Sequence, residues 1–256
     1  MEHENIRPIK NIKEIHELLF IQKEVWGLKD IDIVPVHIFK AVSGFMGPKG
    51  IILGYFIEGK LSAYLLTFPT SNPKEVFGGM LAVSKNYQHK GIGYKLNLEL
   101  RKIMLTHDVD KISWIYDPLE SVNANLYLNK LGGIITHHFT DYYGGLNSKL
   151  HFGLSTDRFK VEWNIKKRPI KEEIEGKTKK NYEYKINDSS DIKYVEIPLN
   201  IQHIKNINIE EALEWRMKTR ALFDEYIEKQ KLIGINFIRD IVNRKGIYVF
   251  KKPPAR

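Results

Sequence analysis

The stretch richest in chemistry runs from Met80 to Tyr94 and reads MLAVSKNYQHKGIGY. An apolar strand, 80–83, enters a loop holding Gly91 and Gly93. An amphipathic pattern begins at once behind it, with Leu96, Leu100, Ile103, Met104 and His107 at helical spacing. The first N–H groups of a helix have no partner within it, and the helix dipole favours negative charge there. Glycines let an anion approach those groups closely, and Lys85, Lys90 and Lys95 surround the loop. The pattern predicts an anion site suited to a pyrophosphate, with a plain glycine turn as the alternative. Other phosphate motifs fit worse. A dinucleotide pattern starting at Gly91 would need glycine where Leu96 stands, and 54–61 imitates a P-loop but carries Leu61 in place of the magnesium-binding hydroxyl.

A second group of residues has the types needed for proton transfer and amine binding. Asp117 and Glu120 form a carboxylate pair, and Asn123 follows on the same helix face as Glu120. Asp117-Pro118-Leu119-Glu120 is equally a helix start, with Asp as N-cap, Pro at the first position and Glu at the third. Glu120 has the reach to meet an ammonium group. Arg158 suits a carboxylate taken bidentately, or a structural ion pair. His37, two residues after Pro35, is either packing or a base or substrate contact. Tyr127 on a helix and Tyr143 on a glycine-bearing loop are open to both structural and chemical roles. His137 and His138 are adjacent in a strand and point to opposite faces, so they cannot share a metal. No other histidines have metal spacing, and no metal is expected.

These residues need elements to hold them. A strand is expected over 6–9, and Asn11 with Glu14 is a capping box opening a helix that carries Ile12, Ile15, Leu19 and Trp26. A shorter helix follows Pro35 and ends near Gly44 and Gly47. Strands over 50–57 and 61–68 flank Glu58-Gly59-Lys60, a hairpin signal, and 76–83 makes a third strand. After the helix behind Gly93 come a strand at 111–116, a helix over 118–131 ending at Gly132-Gly133, and strands at 134–140 and 158–165. Strands followed by helix–strand–helix–strand argue for an α/β chain of the α+β type, a mixed sheet with helices on its faces. This first domain is expected to span 1–165. Residues 166–184 read as a charged connector, and 185–256 as a small C-terminal α/β segment. In that segment 209–230 is expected as one helix, with Ala212, Trp215, Leu222 and Tyr226 on one face. Strands are expected at 194–197, 232–238 and 246–250.

Composition sets the outer limits. The 256 residues are 43% hydrophobic and 28% charged, which is globular and neither collagen-like nor wholly disordered. The absence of cysteine excludes a disulfide framework, a thiolate nucleophile, zinc–thiolate clusters and cysteine-held iron–sulfur centres. A formal charge of +9 favours anionic partners, although part of the excess sits in 166–185, where eight basic residues face four acidic ones. The charged start and an apolar run no longer than 51–57, itself broken by Gly54, lead us to expect a soluble, cytoplasmic protein without a membrane partner.

The loop and its flanks resemble the GNAT superfamily of N-acyltransferases. Gln88-His89-Lys90-Gly91-Ile92-Gly93 matches that superfamily's acyl-CoA loop, Gln/Arg-x-x-Gly-x-Gly/Ala, in pattern and position. Met80-Leu-Ala-Val83 and Lys130-Leu-Gly132 also fit, and the resemblance covers roughly residues 5–165. The chain further resembles a subfamily of predicted acyltransferases, some associated with N-acylamino-acid racemases. The residues carrying this are Val34-Pro-Val-His37, Asp117-Pro-Leu-Glu120 with Asn123, Tyr143-Gly144, Leu154-Ser-Thr-Asp157-Arg158, Val161-Glu-Trp163, Trp215-Arg216 and Thr219-Arg220.

The resemblance implies acetyl-CoA or another acyl-CoA as cosubstrate. Leu81, Ala82 and Val83 would pair with pantetheine like an added strand. Gln88, His89, Lys90, Gly91, Ile92, Gly93 and Tyr94 would form the pyrophosphate loop, with Asn123 a further cofactor contact. Gly78-Gly79 suggests a bulge or close backbone approach, and in the superfamily such a bulge aims an N–H at the thioester oxygen. Many relatives use a tyrosine on the helix after the fifth strand as general acid. Counting back from Gly132, Leu128 fills that place and Tyr127 stands one residue earlier. Glu120, Tyr143, Tyr127 and Asp117 are therefore the catalytic candidates, and His37 and Arg158 the substrate-binding ones. The implied reaction is direct transfer of an acetyl or larger acyl group, such as succinyl, to a small-molecule amine, with an amino acid favoured and a homodimer possible. The alternatives are a protein or tRNA acceptor, nucleic acid being the less favoured partner, and a CoA-binding regulatory module without turnover.

Overall fold

The computed structural model of the protein describes residues 3–144, 153–167 and 192–254. Nearly all of the expected connector at 166–184 lies outside these residues. The chain divides into two compact units, Met1–Trp114 with Leu146–Gly153, and Ile115–Gly145 with Leu154–Arg256.

The first unit begins with β1 (Glu4–Pro8), α1 (Ile12–Trp26) and α2 (Val36–Phe45). The meander β2 (Ile52–Ile57), β3 (Lys60–Pro69) and β4 (Glu75–Val83) follows, then α3 (Ile92–Thr106) and β5 (Lys111–Tyr116). Strands run in the order β1-β2-β3-β4-β5, antiparallel except for β4 and β5, which are parallel. The parallel pair β4 and β5 is joined by a crossover through α3, as parallel pairing requires. The sheet is therefore mixed, as expected. The β2–β3 turn is two residues long, and Glu58 and Gly59 both have positive φ (50° and 75°), matching the right-handed twist of the strands.

Every residue of β2 is buried. Its alternate residues Ile52 and Phe56 join a core with Ile15 and Leu18 of α1, Phe39 and Val42 of α2, and Tyr64, Leu66 and Ala82. The capping box is realised by half. Asn11 Oδ1 accepts from Lys13 N–H at 2.8 Å, but Glu14 turns to Arg7 instead of back to the cap. Between α1 and α2, the fully buried Gln22 clamps Val34 through both backbone groups, with Val34 N–H to Oε1 at 2.8 Å and Nε2 to Val34 O at 3.2 Å.

The second unit contains α4 (Ser121–Ala124), which widens into i→i+5 turns over Asn125–Leu131. Strands β6 (Ile134–Phe139), β7 (Arg158–Asn164) and β8 (Ile192–Pro198) come next. Helices α5 (Ile201–Ile207) and α6 (Ile209–Phe223) follow, α6 again widening over Asp224–Lys229. Strands β9 (Ile233–Asp240) and β10 (Lys245–Lys251) complete it. The strand order is β7-β6-β9-β10-β8, and residues 192–254 share this sheet with β6 through the pair Ile135–Gly234. An aromatic core fills it, with Phe159 4.6 Å from Phe223 and Phe237 4.8 Å from Tyr248, measured between ring centroids.

Two sequence expectations fail in this unit. The helix expected from Pro118 begins at Ser121, because Asp117 does not cap it: Oδ1 accepts from Leu119 N–H in a local turn, and Oδ2 is taken elsewhere. The helix expected over 209–230 is present as α6 with its wide continuation, but its buried face is Ala212, Arg216, Thr219 and Phe223, and an unexpected α5 precedes it. Of the apolar face expected there, only Ala212 is fully buried. The interior positions include an arginine and a threonine, so apolar spacing pointed to the wrong stripe.

Candidate active site

In the first unit, the β4–β5 ladder covers only Glu75–Gly78 against Lys111–Trp114. Beyond it, among the described residues, β4 pairs with β3 alone, with Leu81, Ala82 and Val83 opposite Leu65, Tyr64 and Ala63. The expected irregularity is present: Met80 faces Leu66 and Gly78 faces Thr67, so Gly79 is the extra residue of a bulge. Side chains could not be carried here. A Cβ on Gly78 would lie 2.2 Å from the Trp114 ring, and one on Gly79 2.5 Å from the Phe68 ring. The result is a strand segment with one unladdered edge, directly before the glycine loop.

The loop is held from both ends. Gln88 Nε2 donates to Val83 O at 2.9 Å, and buried Ile92 anchors the start of α3. His89 and Gly91 both take positive φ (63° and 82°), so the chain turns sharply into the helix. Gly91 is the N-cap and has no side-chain acceptor to offer, and the first helical bond is Lys95 N–H to Gly91 O. The N–H groups of Ile92, Gly93 and Tyr94 thus stand at a helix N-terminus without a side-chain cap, the donor set an anion needs. Buried Asn97 fixes Gly93 by donating to its carbonyl at 2.7 Å. The surrounding lysines contribute less than their spacing suggests. Lys95 is directed to Glu4 (2.5 Å) and the Tyr55 hydroxyl (3.0 Å), and Lys90 lies over the Tyr87 ring. His37 is exposed on the first turn of α2, in the segment Gln22 clamps.

In the second unit, the loop after β5 gathers ionisable groups from distant segments. Asp117 Oδ2 accepts from Arg216 Nη2 at 2.6 Å and lies 4.0 Å from Arg158 Nη1. Burial is the largest single influence on Asp117 and opposes its ionisation, but Arg216, Lys205 and Arg158 together outweigh it and hold the carboxyl well below the usual range. Glu120 is pushed the other way, first by burial and then by the Asp117 charge, against the pull of Lys205, Gln202 and Arg216. Two carboxyls three residues apart thus have opposite tuning. Asp117 is an anion with its oxygens engaged, whereas Glu120 holds a proton more readily than an ordinary carboxylate.

Tyr127 is buried with its ring 5.4 Å from Tyr116, and burial raises its hydroxyl pKa strongly. Leu128 beside it is also buried, in the wide i→i+5 segment where α-helical counting of faces no longer applies. Asn123 is half-buried and bonds through its N–H to Glu120 O at 3.0 Å. Tyr143 is half exposed, its ring 5.1 Å from the buried Arg158 guanidinium, and its N–H donates to Thr156 Oγ1. Arg158 also donates to Asp157 O at 2.7 Å. Asp157 in turn pairs with Arg220 through Nε (2.9 Å) and Nη2 (2.7 Å).

The structure therefore brings Asp117, Glu120, Asn123, Tyr143 and Arg158 into one unit and adds Gln202, Lys205 and Arg216, which sequence reasoning did not select as site residues. A signal for α5 existed: Ile201, Ile204 and Ile207 recur every three residues behind Asn200, whose side chain caps His203 N–H. Among the described residues no group of three His, Asp or Glu could hold a metal ion. A cavity of about 450 Å³ in the first unit lies by Ile103 and His107, at the other end of α3 from the glycine loop, and none of the candidate residues lines it.

Residues 12–132 match the model of the Acetyltransferase (GNAT) family. The fold is that of this family's solved structures. The ribosomal-protein-S18-alanine N-acetyltransferase from Escherichia coli is 16% identical with a TM-score of 0.50, over 64% of this chain and 94% of that one. Ard1 from Thermoplasma volcanium is 14% identical with a TM-score of 0.50, over 65% and 97%. The yncA structure from Salmonella typhimurium, solved with its cofactor acetyl-CoA, is 14% identical with a TM-score of 0.52, over 65% and 96%. No curated protein sequence matches the chain. The GNAT family uses acetyl-CoA, and the unladdered β4 edge followed by an uncapped helix N-terminus is a fitting cradle for a pantetheine arm and pyrophosphate.

Proposed function

We propose that the protein is an acyl-CoA-dependent N-acyltransferase that acylates a small-molecule amine, in first place an amino acid. The observation that carries this reading is the end of the β4–β5 ladder at Gly78, with the Gly79 bulge and the α3 N-terminus following on one strand–loop–helix segment. Leu81, Ala82 and Val83 pair with the pantetheine amides. Residues Gln88 to Tyr94 hold the pyrophosphate through backbone N–H groups. An acyl-CoA supplies the activated thioester, and no acyl-enzyme is needed in a chain without cysteine.

Glu120 takes the proton from the acceptor's ammonium, leaving the nitrogen lone pair free to form the new C–N bond. Its raised pKa suits that task, whereas Asp117 is committed to Arg216. As the C–S bond breaks, Tyr143 donates its hydroxyl proton to the leaving thiolate and regains a proton from the second N–H that the new amide nitrogen gives up. Arg158 orients an acceptor carboxylate. The match of the Asp117–Glu120, Asp157–Arg158, Arg216 and Arg220 blocks to the racemase-associated subfamily favours an amino-acid acceptor, and in this chain those blocks contact one another.

Calorimetric titration with acetyl-CoA and succinyl-CoA tests the cofactor half, using Gly93→Glu as the variant that puts a carboxylate at the anion site. Binding by the parent and its loss in the variant are expected. A thiol-release screen over the amino acids tests the transfer half, free of protein thiol background. Binding without release for any amine would make the protein a CoA-binding module. Absence of binding would remove the cofactor assignment.

A further inference from the structure

The cavity beside Ile103 and His107 lies wholly within the first unit, walled by the last turns of α2 and α3 and by the segment joining β1 to α1. Its volume of about 450 Å³ falls in the range of about 300–1,000 Å³ that small-molecule sites occupy. Buried Ile9 and Ile52 and half-buried Ile103 give it an apolar lining, while Lys10, Gly44 and Pro48 are exposed at its rim. Two basic side chains, Lys10 and His107, line it, and among the described residues no acidic one does. Neither of the two makes a side-chain hydrogen bond or ion pair among those residues.

Three glycines shape the cleft, and two of them have a reason inside the protein. Gly47 has a φ of +66°, and a Cβ on Gly50 would lie 2.5 Å from Met46 Cβ. Gly44 is different: it sits in the last turn of α2, and an added Cβ there would meet nothing within 4 Å. Glycine weakens a helix relative to alanine, so the protein's own packing gives no reason for it. A molecule lying against the helix backbone does, because glycine lets another group come close to the main chain. The sign of that molecule's charge follows from the surrounding groups. Helix C-termini carry about half a negative charge and by themselves favour a cation. At α3 the terminal carbonyls are engaged, Met104 O by the N–H groups of His107 and Val109 (both 3.1 Å) and Leu105 O by that of Asp108 (3.4 Å). The Asp108 carboxylate is paired with Lys74. The whole charge of Lys10 therefore prevails.

We propose that this cleft is a small-molecule site for an amphipathic carboxylate, at the end of α3 opposite the glycine loop. Its hydrocarbon body lies on Ile9, Ile52 and Ile103 and against Gly44, and its carboxylate meets Lys10 and His107. The site is independent of the acyl-CoA reading.

The test titrates the full chain, labelled with ¹⁵N-glycine, with 4-phenylbutyrate. The Gly44 and Gly47 signals, assigned by their loss in Gly44→Leu and Gly47→Asn, are expected to move together to saturation. Gly44→Leu fills the cleft and removes a helix-weakening residue. It is expected to keep the parent's cooperative thermal unfolding and to weaken calorimetric binding at least about tenfold. Gly47→Asn, a residue suited to positive φ, carries the test if Gly44→Leu does not fold. The parent is expected to bind 4-phenylbutanol at least about tenfold more weakly than the carboxylate, and Lys10→Met with His107→Leu to abolish that preference. Glycine signals that do not move, or an affinity unchanged in both cleft variants, overturn the site. Equal affinity for the alcohol, or tighter binding of 4-phenylbutylamine, overturns the carboxylate assignment.

Discussion

Arg216 donates to Asp117 across 99 residues of sequence, at 2.6 Å, with the two side chains 1% and 6% exposed. A pair this deep is held by mutual need. Each charge would be costly to bury alone, and the ionic bond chiefly offsets that cost.

Arg216→Met should therefore destabilise the second unit by about 3–5 kcal/mol, because it strands a buried carboxylate. Adding Asp117→Leu to it should recover a large part of the loss. Urea unfolding of both variants measures this. Equal stability of the single variant and the parent would show that the pair is not held as described.

The opposite tuning of Asp117 and Glu120 gives a signed dependence on pH. Asp117, lowered in the fold, contributes stability that is present above its unfolded value of 3.8 and is lost as pH falls through the folded value. Glu120, raised in the fold, contributes stability that is present below 4.5 and is lost as pH rises through the folded value. Glu120→Gln should therefore remove a decline in the urea midpoint above 4.5 while keeping the acid-side loss. A parallel profile for variant and parent would contradict the assignment.

Gly78→Ala brings a methyl group against the Trp114 ring, and the overpacking should cost about 1–3 kcal/mol. Gly44→Ala, on α2 with nothing within 4 Å of the added carbon, should instead gain about 0.4–1 kcal/mol. Thermal unfolding of the two proteins in one buffer tests the contrast, which is one of sign.

The two tyrosines separate by their surroundings. Tyr127→Phe should leave turnover within about threefold, because its ring packs in the interior against Tyr116. Tyr143→Phe should lower kcat by about 10²-fold or more as the loss of a general acid. Measuring kcat with the amine found by thiol release checks both, and the reverse order would hand the role to Tyr127.

The parts legible in the sequence were those whose cause is local. The apolar runs of β2 and β3, the two-residue turn at Glu58-Gly59 between them, and paired glycines at 78–79 and 91–93 all announce themselves within a few residues. The glycine loop leading into α3 was readable for the same reason. What escaped was burial of polar groups by partners far along the chain. Arg216 and Thr219 look like surface residues until Asp117 and the aromatic core are in place. Asp117 reads as a helix cap because nothing nearby reveals the arginine that claims it. Gln22 is another such case, since its reason for burial is the backbone of Val34. Three-residue spacing of isoleucines did mark α5, but seven residues give too short a periodic signal to stand out.

Tyr248, on the last strand, donates its hydroxyl to Pro118 O at 2.7 Å and meets the Tyr116 hydroxyl at 3.1 Å. During synthesis, the loop that carries Glu120 leaves the ribosome some 130 residues ahead of this partner. At ordinary elongation rates that interval is on the order of ten seconds. Through it the loop's carboxylates are solvated, and the second unit can close only once Tyr248 has emerged. The order of translation thus makes this region mature after the first unit.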